Sequence, residues 1–314
     1  MATIGMVGIG AMGAPMARNL LKAGYAMKIY DTTASAVDAL VAHGAEAATA
    51  DTVARDVEAV ITMLPDGAAV SDVLTGRFGL FGRAAGQTLF VDSSTIAVAT
   101  ARTLSTQAGA AGMAMIDAPV SGGVPGAEAA TLTFMVGGAT ADVDRARPML
   151  AAIGRWIVHA GPAGSGQAAK LCNNMILGIS MIAVAEAFEL AAQLELDAAT
   201  LNQIVCQSSG NCWVLEHNHP VPGLAPSSAA NQQYRAGFSS ALMLKDLALS
   251  QDAARQCGAY TPMGAKAAAL YAEFVGQGHG ALDFAAIIRK MACGKPDPST
   301  LANRPEPHGH QGAV

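Results

Sequence analysis

The N-terminal residues leave this chain few ways to fold. A short apolar run from Thr3 to Val7 ends in Gly8-Ile9-Gly10-Ala11-Met12-Gly13, and a helical pattern follows from Ala14 to Lys22. Strand, glycine turn and helix in that order form the context in which G-x-G-x-x-G predicts a dinucleotide-binding βαβ unit. Gly8 makes the tight turn, Gly10 lets a pyrophosphate reach the backbone, and Gly13 lets helix pack on strand. The phosphates then belong on the helix N-terminus, and all six residues of the loop are candidate cofactor contacts. A second strand, Met27 to Tyr30, delivers Asp31 at the spacing of about twenty residues from which an acid reaches the adenosine ribose hydroxyls. Thr32 and Thr33 follow, with no arginine or lysine to hold a 2′-phosphate. NAD is therefore expected over NADP. The other reading of Asp31 is a cap for the next helix.

Strand-like runs continue: Ala59 to Met63 into Leu64-Pro65-Asp66-Gly67, Leu89 to Val91 into Asp92-Ser93-Ser94-Thr95, and Met113 to Ile116 into Asp117-Ala118-Pro119-Val120-Ser121-Gly122-Gly123. Loops at the carboxyl ends of parallel strands are where doubly wound sheets bind ligands. Ser121, Gly122 and Gly123 leave a string of bare N–H groups suited to a carboxylate; an ordinary turn is the competing reading. Strands Leu132 to Val136 and Trp156 to His159 close this half.

Beyond them, Gly161-Pro162-Ala163-Gly164-Ser165-Gly166 forms a hinge-like turn, and a helical pattern then runs to about Glu195. On that helix Lys170, Asn173, Asn174, Leu177 and Met181 share a face, because residues three and four apart lie one above the other. A lysine in so apolar a rod sits where desolvation lowers its pKa towards neutrality, as proton transfer requires. The competing reading is a lysine that snorkels to solvent. The rest is helical to Cys293, with Asp197, Ser239 or Ser240, Pro262 and Asp283 at expected helix starts. A loop-rich insertion, Ser208 to Asn231, interrupts it; Trp213 there either walls a pocket or simply packs.

The expected fold is α/β: a doubly wound Rossmann-type sheet domain over 1–162, an all-α domain over 163–294, a long interdomain helix between them, and a disordered tail over 295–314. A chain of 314 residues can bury a core in each half. With net charge −5, no basic run and few aromatics, nucleic acid is not an expected partner. The longest apolar run, Met175 to Ala185, is shorter than a bilayer requires, so no membrane span is expected and the helix reads as buried. The N-terminus has no basic leader, which places the protein in a bacterial cytoplasm or makes it a mature organellar form. Five cysteines without C-x-x-C spacing read as reduced, mostly buried thiols. Cys206, Cys212, His217 and His219 match no common zinc spacing, so no metal is expected.

Taken together these motifs resemble one family over nearly the whole chain. The glycine fingerprint, Asp117 to Gly123, Gly161 to Asn174 and Lys245-Asp246 appear in the order found in β-hydroxyacid dehydrogenases. Lys170-Leu171-Cys172-Asn173-Asn174-Met175, Ala185-Glu186-Ala187, Ser208 to Trp213 and Pro220-Val221-Pro222-Gly223 look most like the 3-hydroxyisobutyrate branch. The resemblance implies that Lys170 is catalytic and that Asn174 binds substrate; Trp213, on the pocket reading above, is a further substrate-binding candidate. The resemblance also implies that Ser121, Gly122 and Gly123 hold the substrate carboxylate, while Leu64, Pro65, Thr95 and Lys245 touch NAD. The implied reaction is NAD-dependent oxidation of a short 3-hydroxy acid to its semialdehyde; separately, the long apolar helix and Ala-rich second domain point to a homodimer or homotetramer. The alternatives are a related semialdehyde or glyoxylate reductase and, from another class, a non-catalytic NAD-binding regulator. Ala69 departs from the polar residue that relatives often carry near the cofactor.

Overall fold

A computed structural model describes residues 2–292; the expected tail over 295–314, with Cys293 and Gly294, lies outside the described residues. The chain separates into two compact units, one ending at Asn173 and the other beginning at Asn174.

The first unit contains nine strands: β1 (Thr3–Val7), β2 (Ala26–Tyr30), β3 (Glu46–Ala47), β4 (Ala59–Thr62), β5 (Leu89–Asp92), β6 (Ala114–Asp117), β7 (Val120–Ser121), β8 (Leu132–Gly137) and β9 (Gly154–Gly161). Its helices are α1 (Gly13–Lys22), α2 (Ala34–Val41), α3 (Gly67–Leu74), α4 (Val98–Ala110), α5 (Gly123–Glu128), α6 (Thr140–Ala151) and the first turns of α7 (Ser165–Gln193). Strands β3-β2-β1-β4-β5-β6 lie side by side and parallel, the order of a doubly wound dinucleotide fold. Strand β8 then runs antiparallel to β6 and β7 and parallel to β9, so the sheet is mixed at that end. Alternate side chains of each strand enter different cores, as the pleat requires. Ile4, Met6, Ile61 and Val91 join one apolar cluster; Val7, Val60 and Phe90 join the other.

The second unit is helical among the described residues. After α7 come α8 (Ala198–Cys206), α9 (Trp213–His217), α10 (Ser240–Cys257), α11 (Pro262–Phe274) and α12 (Ile288–Met291). The anticipated caps are in place: Asp197 accepts from Thr200 N, Ser239 from Leu242 N and Asp283 from Ala285 N, while Pro262 opens α11. Met181, Phe188, Tyr234, Met243, Leu247, Tyr271 and Phe274 form the core. The insertion over 208–231 is pinned to it: Asn218 donates to the Asp283 carboxylate at 2.9 Å and the Tyr234 hydroxyl donates to Pro220 O at 2.8 Å.

Two expectations are corrected. Helix α7 is 29 residues long, a length and composition also met in the core helix of a soluble protein, and its most apolar window is only 39% buried. Gly178 and Ser180, inside the apolar run Met175 to Ala185, leave the helix continuous. Nor is α7 wholly buried, since Ile176 and Leu190 are 64% and 60% exposed. The described thiols are not mostly buried either: Cys172 and Cys257 are exposed, and Cys206 and Cys212 half-buried. Cys172 lies on an outward side of α7 and Cys257 is the last residue of α10, so both reach solvent.

Candidate active site

The glycine loop turns between β1 and α1 on backbone that tolerates no side chain at two positions. Gly8 has φ +88°, and a Cβ there would lie 2.3 Å from Met63 O; one on Gly13 would lie 2.0 Å from Gly8 O. At Gly10 a Cβ would meet nothing within 4 Å, which leaves the backbone approachable from outside. No side chain caps α1 and no acid sits in its first turn, so its N-terminus suits an anion. Asp31 closes the loop from the neighbouring strand: Ile9 N donates to Oδ2 and Thr33 N to Oδ1, both at 2.8 Å. Thr33, and not Asp31, is the N-cap of α2. These features fit a bound dinucleotide with a ribose at Asp31, whose negative charge disfavours a 2′-phosphate.

The next loops are tied to one another. Leu64 N, following β4, donates to Ser94 Oγ at 2.9 Å, and Pro65 precedes Asp66, the cap of α3. Thr95 lies between Ser94 and Ile96, both bonded to the buried side chain of Gln167: Ile96 N donates to its Oε1 at 3.1 Å, and its Nε2 donates to Ser94 O at 2.8 Å. Ser121 ends β7, and Gly122 and Gly123 follow with φ of +129° and +61°, leading into α5.

Two buried acids end adjacent strands. Asp92 and Asp117 are register partners across β5 and β6, each at most 3% exposed. Asp92 Oδ1 accepts from Thr62 Oγ1 at 2.8 Å and from Ser94 N at 3.1 Å; burial nevertheless pushes its pKa up to about 6. Burial likewise raises Asp117, against the lowering effect of the Gly164 and Gln167 amides that donate to it.

Helix α7 carries Lys170 and, one turn further, Asn174, both buried. In the second unit Asn174 Nδ2 donates to Asp246 Oδ2 at 2.5 Å, and Lys245 Nζ lies 3.4 Å from Asp246 Oδ1. Trp213 begins α9 half-exposed, with its ring stacked flat on His217 at 5.1 Å. Sequence reasoning passed over Ser94, Gln167 and the two strand-end acids as site-builders. The available signal was an acid closing an otherwise apolar strand, at Asp92 and again at Asp117. Among the described residues no three His, Cys, Asp or Glu side chains cluster as metal ligands.

The chain is similar to known proteins over most of its length. Residues 3–161 match the family model described as the NAD binding domain of 6-phosphogluconate dehydrogenase. Residues 164–291 match the one described as NAD-binding of NADP-dependent 3-hydroxyisobutyrate dehydrogenase. A probable 3-hydroxyisobutyrate dehydrogenase of Mycobacterium tuberculosis is 47% identical over 93% of this chain and 98% of its own length. An NAD-dependent L-serine dehydrogenase of Pseudomonas aeruginosa is 46% identical over the same shares. The solved structure of M. tuberculosis 3-hydroxyisobutyrate dehydrogenase with L-serine superposes with a TM-score of 0.88 at 46% identity, covering 93% of this chain and 99% of that one.

Proposed function

The chain belongs to the β-hydroxyacid dehydrogenase family and is most like its 3-hydroxyisobutyrate branch; from that premise we propose that it oxidises 3-hydroxyisobutyrate to methylmalonate semialdehyde with NAD. The observation that carries the reading is the pairing of a buried Lys170 with a buried Asn174 one turn along the same helix. Lys170 takes the proton of the substrate hydroxyl during oxidation and returns it during reduction. Asn174 orients that hydroxyl or the carboxylate. Ser121, Gly122 and Gly123 receive the carboxylate, and Trp213 borders the substrate.

NAD, when bound, accepts the hydride from the alcohol carbon. Its phosphates belong on Gly8, Ile9, Gly10, Ala11, Met12 and Gly13 and its ribose on Asp31, with Leu64, Pro65, Thr95 and Lys245 as further contacts. The exposed Ile176, Leu190, Leu194, Ile204 and Met263 favour a homodimer or homotetramer built through the helices.

The test follows NADH formation with 3-hydroxyisobutyrate, 3-hydroxypropionate, glycerate and L-serine side by side, with NAD and with NADP, in wild type and Lys170→Ala. Loss of a general base costs on the order of 10²–10⁴-fold in turnover. Fast NAD-linked oxidation of 3-hydroxyisobutyrate, lost at that scale in the variant, is the expected result. Near-normal turnover by Lys170→Ala removes the mechanism. Preference for L-serine, the substrate named for the P. aeruginosa relative, keeps the mechanism and changes the substrate.

A further inference from the structure

The first turn of α7 is held from outside the helix. Gly164 N donates to Asp117 Oδ1 at 2.6 Å, and Gln167 N donates to Oδ2 at 2.9 Å. A helix leaves its first N–H groups without intrahelical partners, and an ionised carboxylate is a strong acceptor for them. The carboxylate sits in a socket of backbone. A Cβ on Gly137 would lie 2.6 and 2.8 Å from its two oxygens, and one on Gly166 would lie 2.8 Å from Oδ2 and 2.2 Å from Met135 O. Neither glycine can take a side chain without displacing Asp117 or the strand beside it. Gln167, fully buried, ties the same turn to Ser94 and Ile96 on either side of Thr95. Lys170 follows Gln167 by three residues and so lies above it on the same face.

We infer that Asp117 is a positioning residue: by holding Gly164 and Gln167 it fixes the first turn of α7, and with it the place of the Lys170 amine. Gln167 extends the hold to the loop carrying Thr95, so two elements assigned to the reaction are set by one anchor. The inference rests on Lys170 being the proton-transferring group. Asp117 itself touches no reacting atom in this scheme; its effect passes through the helix.

The experiment uses the full chain with Asp117→Asn, made in the wild-type and the Lys170→Ala backgrounds. Steady-state oxidation of 3-hydroxyisobutyrate and amide hydrogen exchange along α7 are measured for each. A misplacement of about 1 Å costs up to roughly 10²-fold, so Asp117→Asn is expected to lower kcat about ten- to a hundredfold, a larger effect than any rise in the KM for NAD through the Thr95 loop. In the Lys170→Ala background the same substitution should have little effect, because the group it positions is gone. Faster exchange at Gly164 and Gln167, with the later turns of α7 protected as before, should accompany it. Unchanged kcat, unchanged exchange at both amides, or an equal loss in both backgrounds overturns the proposal. Should Asp117→Asn fail to fold, Gln167→Met, which removes the bonds to Ser94 and Ile96 at similar volume, must show the same dependence on Lys170. A wild type that oxidises no hydroxy acid, or a fully active Lys170→Ala, overturns the functional reading instead. It is told apart from failure of the anchor because exchange needs no turnover.

Discussion

The amide nitrogen of Asn174 faces the carboxylate of Asp246 at 2.5 Å, so an acid on α10 decides which way an amide on α7 points. Both residues are at most 2% exposed, and a carboxylate accepts only. The amide oxygen is thereby turned away from Asp246.

Removing that acid should release the amide. A buried hydrogen bond to a charged group is worth about 1.5–3 kcal/mol, which corresponds to roughly ten- to a hundredfold in kcat/KM. Asp246→Ala is expected to lower kcat/KM for the hydroxy acid on that scale. Lys245 loses its ion-pair partner in the same variant, so the KM for NAD should rise as well. A kcat/KM equal to wild type in steady-state assays would separate Asn174 from substrate orientation.

Asp31 should govern the choice of cofactor. Its carboxylate accepts from Ile9 N and Thr33 N, which holds a negative charge at the end of β2 beside the glycine loop. Asp31→Ser removes the charge and weakens the bond to the loop. The ratio of kcat/KM for NAD over NADP should fall by about ten- to a hundredfold, chiefly through the KM for NAD. An unchanged ratio would mean that the discrimination lies elsewhere.

Much of this site is local in sequence, and that part was legible. The glycine loop, Asp31, and the face shared by Lys170 and Asn174 each follow from spacing within one or two elements. Strands β3 and β7 were not legible, because two residues carry no period. The antiparallel course of β8 depends on which neighbour it pairs with, which no local pattern encodes. Asp92 and Asp117 read as the starts of loops, yet each is the last residue of a strand. Their partners Thr62, Gly164 and Gln167 stand 30, 47 and 50 residues away in the chain. Beyond Asn174, helix α7 is apolar on most sides, so its exposed Ile176 and Leu190 could not be told from its buried Met181 and Phe188.

Asp92 makes stability depend on pH in a defined direction. Burial pushes its pKa up to about 6 in the folded chain from the ordinary 3.8, and Oδ2 has no hydrogen-bond partner among the described residues. A carboxyl group whose pKa is raised by folding contributes fully below the unfolded value, and that contribution is lost as pH rises through the folded value. The loss across pH 4 to 6 amounts to about 3 kcal/mol. Asp92→Asn cannot ionise, so its stability relative to wild type should rise by about that amount between pH 4 and pH 7. Urea unfolding of both proteins at the two pH values measures it; a difference that does not change with pH refutes the assignment.

His219 works in the opposite sense. The ring is fully buried, its Nδ1 accepts from Val221 N at 3.0 Å, and it meets the Phe188 ring edge-to-face at 4.5 Å. With Nδ1 accepting, the neutral tautomer carries its proton on Nε2. Burial lowers the pKa from 6.5 to about 4. A histidine with a lowered folded pKa contributes stability that is present above the unfolded value and lost as pH falls through the folded one. The corresponding loss between pH 6.5 and 4 is about 3 kcal/mol, which opposes the gain from Asp92 over much of the same window. The two variants should therefore split: Asp92→Asn steepens the acid destabilisation of the fold, and His219→Gln flattens it. At pH 7 His219→Gln should itself be less stable than wild type, because it loses the ring contact with Phe188. Unfolding curves at several pH values between 4 and 7 decide the matter, and a His219→Gln slope equal to wild type would show that the ring does not titrate in this range.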